Sequence, residues 1–112
     1  MSTQHTYRVI VRGAWDGLSA EGRARLLAGL DGHGLESMRF TEEGSLSYDR
    51  TLKHFSYRII VHSDPEDGDE MAGAIAEDHA ERALAELGHP HTELKSKVTD
   101  MDTMKINYKG RR

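Results

Sequence analysis

The stretch from His54 to His62 reads HFSYRIIVH and is the clearest strand in the chain. Successive side chains of a strand point to opposite faces, so this run has two distinct sides. One side is apolar and consists of Phe55, Tyr57, Ile59 and Val61. The other side carries His54, Ser56, Arg58, Ile60 and His62. The pattern predicts a strand that is buried on one face and presents cationic and titratable groups on the other.

The segment from Tyr7 to Arg12 has the same alternation. Tyr7, Val9 and Val11 share one face, and Arg8, Ile10 and Arg12 share the other. Between these two runs, the alternation of residues 37–41 around Met38 and Phe40 predicts another strand, which ends at a turn over residues 42–44. Leu46 and Tyr48 then share a face, which predicts an extra short hairpin strand around residues 45–49.

Two helices are predicted between these strands. Ser19 is a candidate N-cap after the loop of residues 13–17, and Leu26, Leu27 and Leu30 follow at one-turn spacing before Gly32 and Gly34. The second helix follows the acidic connection of residues 63–70 and ends at Gly88 and Pro90. Its predicted apolar stripe comprises Met71, Ala72, Ile75, Ala76, His79, Ala80, Ala83, Leu84 and Leu87. Residues 91–98 are predicted to form the last strand.

The order of these elements predicts an α+β fold, a ferredoxin-like βαββαβ antiparallel sheet with both helices on one face. The length of 112 residues fits a single domain, here residues 1–108, followed by a basic tail of residues 109–112. The core of such a chain is modest, which favours a partner that buries further surface, and a second copy of the chain, in a homodimer, is the expected one. Two helices cover one face of such a sheet, and the second face must then meet solvent, a ligand or another chain.

Composition narrows the range of functions. The formal net charge is −4, which argues against nucleic acid and anionic membranes as partners, and the absence of cysteine excludes disulfides and thiolate chemistry. The beginning of the chain has no signal-like pattern and no run approaches a membrane span, so a cytoplasmic location is expected. The pair His89 and His91 around Pro90 lacks the spacing of a metal site, so neither a metal nor a cofactor is predicted.

The candidate site lies on the face opposite the helices. Histidine titrates near neutral pH, so His54 or His62 is the expected acid or base, and Arg8, Arg12 and Arg58 would hold an anion. Tyr48 and Asp49 are expected as supporting catalytic groups. Ile10, Ile60 and Trp15 complete the predicted binding residues, with Trp15 as a possible lid.

Four residues also have a structural interpretation. Tyr48 could be a core aromatic residue, and Asp49 could be a turn residue that accepts backbone N–H bonds. Trp15 could pack over a helix end, and His79 could be a satisfied imidazole at the edge of the core. The sequence leaves these alternatives open.

Several short motifs resemble a family of small actinobacterial, Streptomyces-type proteins of unknown function. They are Arg12-Gly13, Asp16-Gly17-Leu18-Ser19, Phe40-Thr41, Glu43-Gly44 and Leu46-Ser47-Tyr48-Asp49. The resemblance implies a bacterial source and assigns no catalytic residue. The predicted topology is also similar to that of dimeric α/β-barrel proteins, which include small monooxygenases and polyketide cyclases.

Two functions follow as hypotheses. The first is a small-molecule-binding protein, and if it is an enzyme, a cofactor-free cyclase or isomerase that transfers protons on an anionic or polyketide-like metabolite of bacterial secondary metabolism. The second is a non-catalytic homodimeric interaction module that uses the open sheet face. A concave pocket with convergent Arg and His side chains would favour the first, and a face packed solid by Ile10 and Ile60 would favour the second.

Overall fold

The computed structural model describes residues 4–30 and 38–102. The elements in chain order are β1 (His5–Ala14), α1 (Ala20–Ala28), β2 (Ser45–Tyr48), β3 (His54–Ser63), α2 (Gly68–Leu87) and β4 (Lys95–Asp100). One 3-10 turn, Pro65–Asp67, precedes α2. The α+β class, with two helices and an antiparallel sheet, is confirmed. Gly32, Gly34 and the basic tail lie outside the described residues.

The four strands form one antiparallel sheet in the order β2-β3-β1-β4. The two long strands, β1 and β3, lie side by side at its centre, with Val9 opposite Ile59 and Ile10 opposite Arg58. Because paired residues share a face, this register fixes the phase of both strands. The predicted separation into an apolar side and a polar side is confirmed.

One face of the sheet is packed against the helices. Tyr7, Val9, Val11 and Ile59 are each 2% exposed or less, and they join a single buried cluster that also contains Leu26 of α1. Helix α2 contributes small residues to the same cluster, which allows its backbone to approach the strands. Its buried residues are Ala72, Gly73, Ala76, Ala80 and Leu84.

Part of the predicted stripe of α2 is wrong. The series Ala72, Ala76, Ala80 and Leu84 is buried, whereas Met71, Ile75 and Leu87 are 43%, 37% and 39% exposed. His79 is exposed as well, with its Nδ1 atom 3.4 Å from the hydroxyl of Tyr57. The apolar residues of α2 cover a wider part of the helix surface than the sheet contacts. Only the part that contains Ala72, Ala76, Ala80 and Leu84 packs against the strands.

Two helix boundaries follow the predicted caps, whereas α1 ends at Ala28 with Gly29 as its C-cap, earlier than the predicted end at Gly32 and Gly34. The Ser19 hydroxyl accepts a hydrogen bond from the backbone N–H of Gly22 at 2.9 Å, which confirms Ser19 as the N-cap of α1. Helix α2 ends at Gly88, whose φ of 73° is the left-handed conformation that glycine adopts most easily. Within the described residues, no helix is both long enough and apolar enough to cross a membrane.

Several predicted strand boundaries are wrong. Residues 38–40 form no strand, and Thr41 makes only an isolated parallel bridge to Ile59, so the strand at 45–48 is the second strand of the sheet rather than an extra one. The final strand runs over 95–100 instead of 91–98. Strand β1 continues through Gly13 to Ala14. A Cβ atom at position 13 would lie 2.6 Å from Cζ of the Phe55 ring, so a side chain at this position would clash with the ring.

Candidate functional site

The sheet face turned away from the helices is cationic. We call it the open face, and its strand residues are Thr6, Arg8, Ile10, Arg12, Ala14, Ser45, Ser47, His54, Ser56, Arg58, Ile60, His62, Lys95, Lys97 and Thr99. Five of them are Arg or Lys, and none is Asp or Glu. The chain as a whole has a net charge of −4, so these strand residues differ from it in the sign of their charge.

A cavity of about 580 Å³ opens at the end of the open face nearest the β2–β3 hairpin. Its lining residues are Arg12, Gly13, Leu30, Met38, Ser47, Tyr48, Asp49, Arg50, His54, Phe55, Ser56 and Arg58. Five of the residues predicted from sequence are therefore brought together: Arg12, Tyr48, Asp49, His54 and Arg58. Leu30, Met38 and Phe55 supply apolar walls.

Arg58 is held in place by two serines of the open face. Its Nη1 donates to Ser56 Oγ at 2.7 Å and to Ser47 Oγ at 3.2 Å, and the two hydroxyl oxygens are 3.0 Å apart. The serines lie directly opposite each other on β2 and β3, so the backbone fixes both acceptors. Partial burial, and then the charge of Arg12, lower the pKa of Arg58.

Arg12 lies opposite Ser56 on the neighbouring strand and is exposed. Across residues 4–30 and 38–102, no carboxylate forms an ion pair with Arg12 or Arg58. Two neighbouring guanidinium groups without an ion-pair partner repel each other, although the Asp49 carboxylate lines the same cavity. An anion in the cavity would relieve that repulsion.

Asp49 serves the hairpin that leads into β3. Its Oδ1 accepts the backbone N–H of Thr51 at 3.0 Å and also the Thr51 hydroxyl, and these bonds lower the pKa of Asp49. Leu52, in the same turn, is buried with a left-handed φ of 54°. The hydrogen bonds to Thr51 match the turn interpretation of Asp49. The lowered pKa also makes this carboxylate a weaker base, which disfavours a role in catalysis. The turn delivers His54 to the cavity at the start of β3.

Tyr48 lines the cavity, but its hydroxyl is used elsewhere. The hydroxyl donates to the backbone carbonyl of Leu26 in α1 at 2.6 Å, and burial raises the pKa of Tyr48. The ring packs edge-to-face against Trp15, at 5.9 Å between centroids. These contacts match the core-aromatic interpretation of Tyr48.

The remaining predicted residues lie outside the cavity. His62 Nε2 is 2.9 Å from a carboxylate oxygen of Glu42, and the guanidinium of Arg8 stacks on the Phe40 ring at 5.2 Å. Ile10 and Ile60 are half-buried on the open face, opposite Arg58 and Arg8 respectively.

Trp15 is 8% exposed and packs on Phe55 within the core, with ring centroids 4.5 Å apart. It is held at the end of β1 by a hydrogen bond from its backbone N–H to the carbonyl of Lys53 at 2.9 Å. This geometry matches the packing interpretation of Trp15 rather than a lid over the open face.

Two groups of cavity residues were missed by sequence reasoning. Ser47 alternates with Leu46 and Tyr48, so its place on the open face follows from the two-residue period. Ser56 was placed on this face by the same period but was not predicted as a site residue. Leu30 and Met38 flank residues 31–37 along the chain, and no periodicity could have brought them to the same cavity wall as Phe55.

A cluster of metal-ligand residue types lies near the opposite end of β1. Ligand atoms of His5, Asp100 and Asp102 all lie within 4.8 Å of one another. These groups form hydrogen bonds with one another and with the backbone. His5 Nδ1 is 2.8 Å from an Asp100 oxygen, and Asp102 accepts the Thr6 N–H at 2.8 Å. The geometry is that of a hydrogen-bonded clamp between β1 and the end of β4.

Fold and cavity define a class of small α+β proteins with a cationic sheet face and one apolar-walled cavity at its margin. The chain belongs to the family of unknown function DUF6204, whose model matches residues 1–112. No curated protein and no solved structure matches the chain.

Proposed function

We propose that this protein binds a small, anionic, polyketide-like organic molecule in the cavity beside the β2–β3 hairpin. The observation that carries the proposal is the pair Arg12 and Arg58, two cations without a carboxylate partner among the described residues, in one cavity. A bound anion interacts favourably with both guanidinium groups at once. In a partly buried site this interaction is screened less than on an open surface.

The cavity walls support a carbon skeleton attached to that anion. Leu30, Met38 and Phe55 provide apolar surface, and the volume of about 580 Å³ lies within the range of small-molecule sites. A carboxylate, enolate or phenolate on an aromatic or aliphatic body would match both the charge and the apolar walls.

If the protein is an enzyme, the proposed chemistry is proton transfer without a cofactor, as in a cyclisation or isomerisation. His54 is the imidazole that shares the cavity with Arg12 and Arg58, so the proposal assigns the acid/base role to His54. His62, beside Glu42 and outside the cavity, has no role in it. The two arginines would stabilise the negative charge that develops on the substrate oxygen.

The interaction module is the second candidate, and the charge of the open face argues against its symmetric form. Two copies that closed face to face would bring together Arg8, Arg12, Arg58, Lys95 and Lys97 from each. Such like-charge contacts disfavour association. A homodimer through another surface is compatible with ligand binding and stays a prediction.

We also propose the ferredoxin-like group for this fold. Support comes from the element order βαββαβ and from the central pair of antiparallel strands β1 and β3. The dimeric α/β-barrel group is a further step that requires the homodimer.

Three matched probes test the binding proposal: naphthoate, naphthalenesulfonate and the neutral naphthamide, each titrated into the protein and followed by NMR. We expect both anions to shift cavity resonances and each to bind at least about tenfold more tightly than the amide, a difference of at least about 1.4 kcal/mol. The double variant Arg12→Gln/Arg58→Gln should lose this preference.

Arg8→Gln is the matched control, because it removes a cation from the same strand and face but outside the cavity. It should leave anion binding within about twofold of the original protein, since exposed charges contribute little at a distance. Equal binding of anions and amide, or an equal loss in the Arg8 variant, would refute the cavity as the anion site.

A further inference from the structure

The hydrogen bonds of Arg58 use only one of its three nitrogens. Both acceptors, Ser56 Oγ and Ser47 Oγ, are bonded by Nη1. A guanidinium group carries five N–H donors in a planar fork, and Nη1 has two of them. Within residues 4–30 and 38–102, nothing accepts a hydrogen bond from Nε or Nη2. One complete edge of the fork is therefore available beside the cavity.

We propose that this Nε/Nη2 edge of Arg58 receives a carboxylate group, bound side-on through two parallel hydrogen bonds, and that the ligand is an apolar monocarboxylic acid. The inference rests on the proposed anion binding and specifies its chemistry. Two coplanar oxygens match the two donors of the edge, and this geometry makes Arg–carboxylate pairs strong and specific.

The two serines act as positioning residues for that edge. Ser47 is only 4% exposed, and its cross-strand partner Ser56 is half-buried, so both hydroxyls are confined by the sheet. With Nη1 bonded to both, the plane of the guanidinium group is set before a ligand arrives. A preset donor loses less conformational freedom on binding, which raises affinity for an anion of matching shape.

A dianion such as a phosphate monoester fits the cavity less well. Its three terminal oxygens require more preset donors than one guanidinium edge offers. Arg12, Arg50 and His54 also line the cavity but are exposed, and the side chains of Leu30, Met38 and Phe55 offer no donor. Desolvating a charged oxygen without a hydrogen-bond partner is unfavourable. A carboxylate is saturated by the Arg58 edge, and Arg12 then adds charge without a fixed geometry.

Conservative replacement of the two arginines separates geometry from charge. Arg58→Lys keeps the charge and removes the planar edge, so naphthoate affinity should fall about tenfold or more. Arg12→Lys, the matched control, should change naphthoate affinity by about threefold or less, because its contribution is electrostatic. In the unmodified protein, the Arg58 Nε–H resonance should shift on addition of naphthoate.

The role of the serines is tested by the ratio of the affinities for naphthoate and naphthalenesulfonate, which a loss of protein stability alone would not change. In the double variant Ser47→Ala/Ser56→Ala, the preference for naphthoate over naphthalenesulfonate should fall toward unity, while the backbone NMR spectrum stays folded. If the original protein shows no such preference and Arg58→Lys matches Arg12→Lys, the carboxylate assignment is wrong although anion binding stands.

If neither anion binds at about 10 mM, a concentration that detects even millimolar affinity, the proposed function fails and the carboxylate assignment fails with it. If both anions bind and only the Arg12→Gln/Arg58→Gln variant loses this binding, the proposed function is supported and the carboxylate assignment is not. The shift of the Arg58 Nε–H, with the tenfold loss in Arg58→Lys, supports the carboxylate edge.

Discussion

The covered face and the open face of β1 and β3 are built from alternate residues of the same strands, yet they hold their side chains by different means. On the covered face, Val9, Val11 and Ile59 are almost fully buried against the helices. On the open face, Arg58 is held by hydrogen bonds to serines, and Arg8 by stacking on Phe40. Packing fixes one face, and polar contacts fix the other.

This difference shows how a small domain can hold a site without giving up its core. Neighbouring residues of β2 illustrate it: the hydroxyl of Tyr48 bonds to α1 on the covered side, while Ser47 positions Arg58 on the open side. Because the two side chains belong to one rigid strand, the anchoring of Tyr48 also restrains Ser47. The open face can change its chemistry while the covered face preserves the fold.

The largest expected effect is a difference in the free energy of unfolding between substitutions of two adjacent isoleucines. Ile59 is 2% exposed on the covered face, and Ile60 is half-buried on the open face. Ile59→Ala should lower the free energy of unfolding by about 2–5 kcal/mol, because it removes buried surface and leaves a cavity. Ile60→Ala, the matched control, should lower it by about 1 kcal/mol or less.

Urea unfolding followed by circular dichroism measures both variants. Equal losses for the two variants would contradict the assignment of faces, because the same atoms are deleted one residue apart. A larger loss for Ile60→Ala would mean that another chain or segment covers the open face.

A smaller effect is expected for the hydroxyl of Tyr48, which joins the covered face to α1. Tyr48→Phe removes a buried hydrogen bond to the Leu26 carbonyl and should lower the free energy of unfolding by about 1 kcal/mol. Naphthoate affinity should stay within about twofold, because the hydroxyl is engaged by the Leu26 carbonyl. A tenfold loss of affinity with unchanged stability would instead restore Tyr48 as a functional donor.

Much of this architecture could be predicted from the sequence, because strand alternation is a local signal. The faces of β1 and β3 and the N-cap at Ser19 required only the spacing of neighbouring residues. The segment around Phe40 has the same alternation and forms no strand. This segment makes tertiary contacts of another kind: the Phe40 ring stacks with Arg8, and Thr41 forms only an isolated bridge to Ile59. Local alternation does not report such contacts.

The candidate site was only partly predictable, for a related reason. Periodicity puts His54, Arg58 and His62 on one face, but it does not say which of them share a cavity. In the structure, His54 and Arg58 both line the cavity, whereas His62 lies outside it and contacts Glu42. Trp15 was ambiguous because a tryptophan between glycines can cover a ligand or a core, and only the contacts with Phe55 distinguish the two.

The smallest expected effect concerns the margin of the covered face, where a polar pair replaces apolar packing. His5 follows the phase of Tyr7 and is 2.8 Å from Asp100, and this hydrogen bond, with the nearby charges of Asp102 and Asp64, raises the pKa of His5. A raised pKa in the folded state means that protonated His5 stabilises the fold. That contribution is fully present below the unfolded pKa of about 6.5 and is lost as pH rises through the folded value.

Urea unfolding of the original protein and His5→Gln, at about pH 5.5 and about pH 8.5, measures this contribution. The original protein should exceed the variant in stability by more at the lower pH, since a larger fraction of His5 is charged beside Asp100 there. The other histidines are common to both proteins, so their titration cancels in the comparison. In an Asp100→Asn background the pH dependence of the difference should shrink; if it persists unchanged, the clamp between β1 and β4 is not its origin.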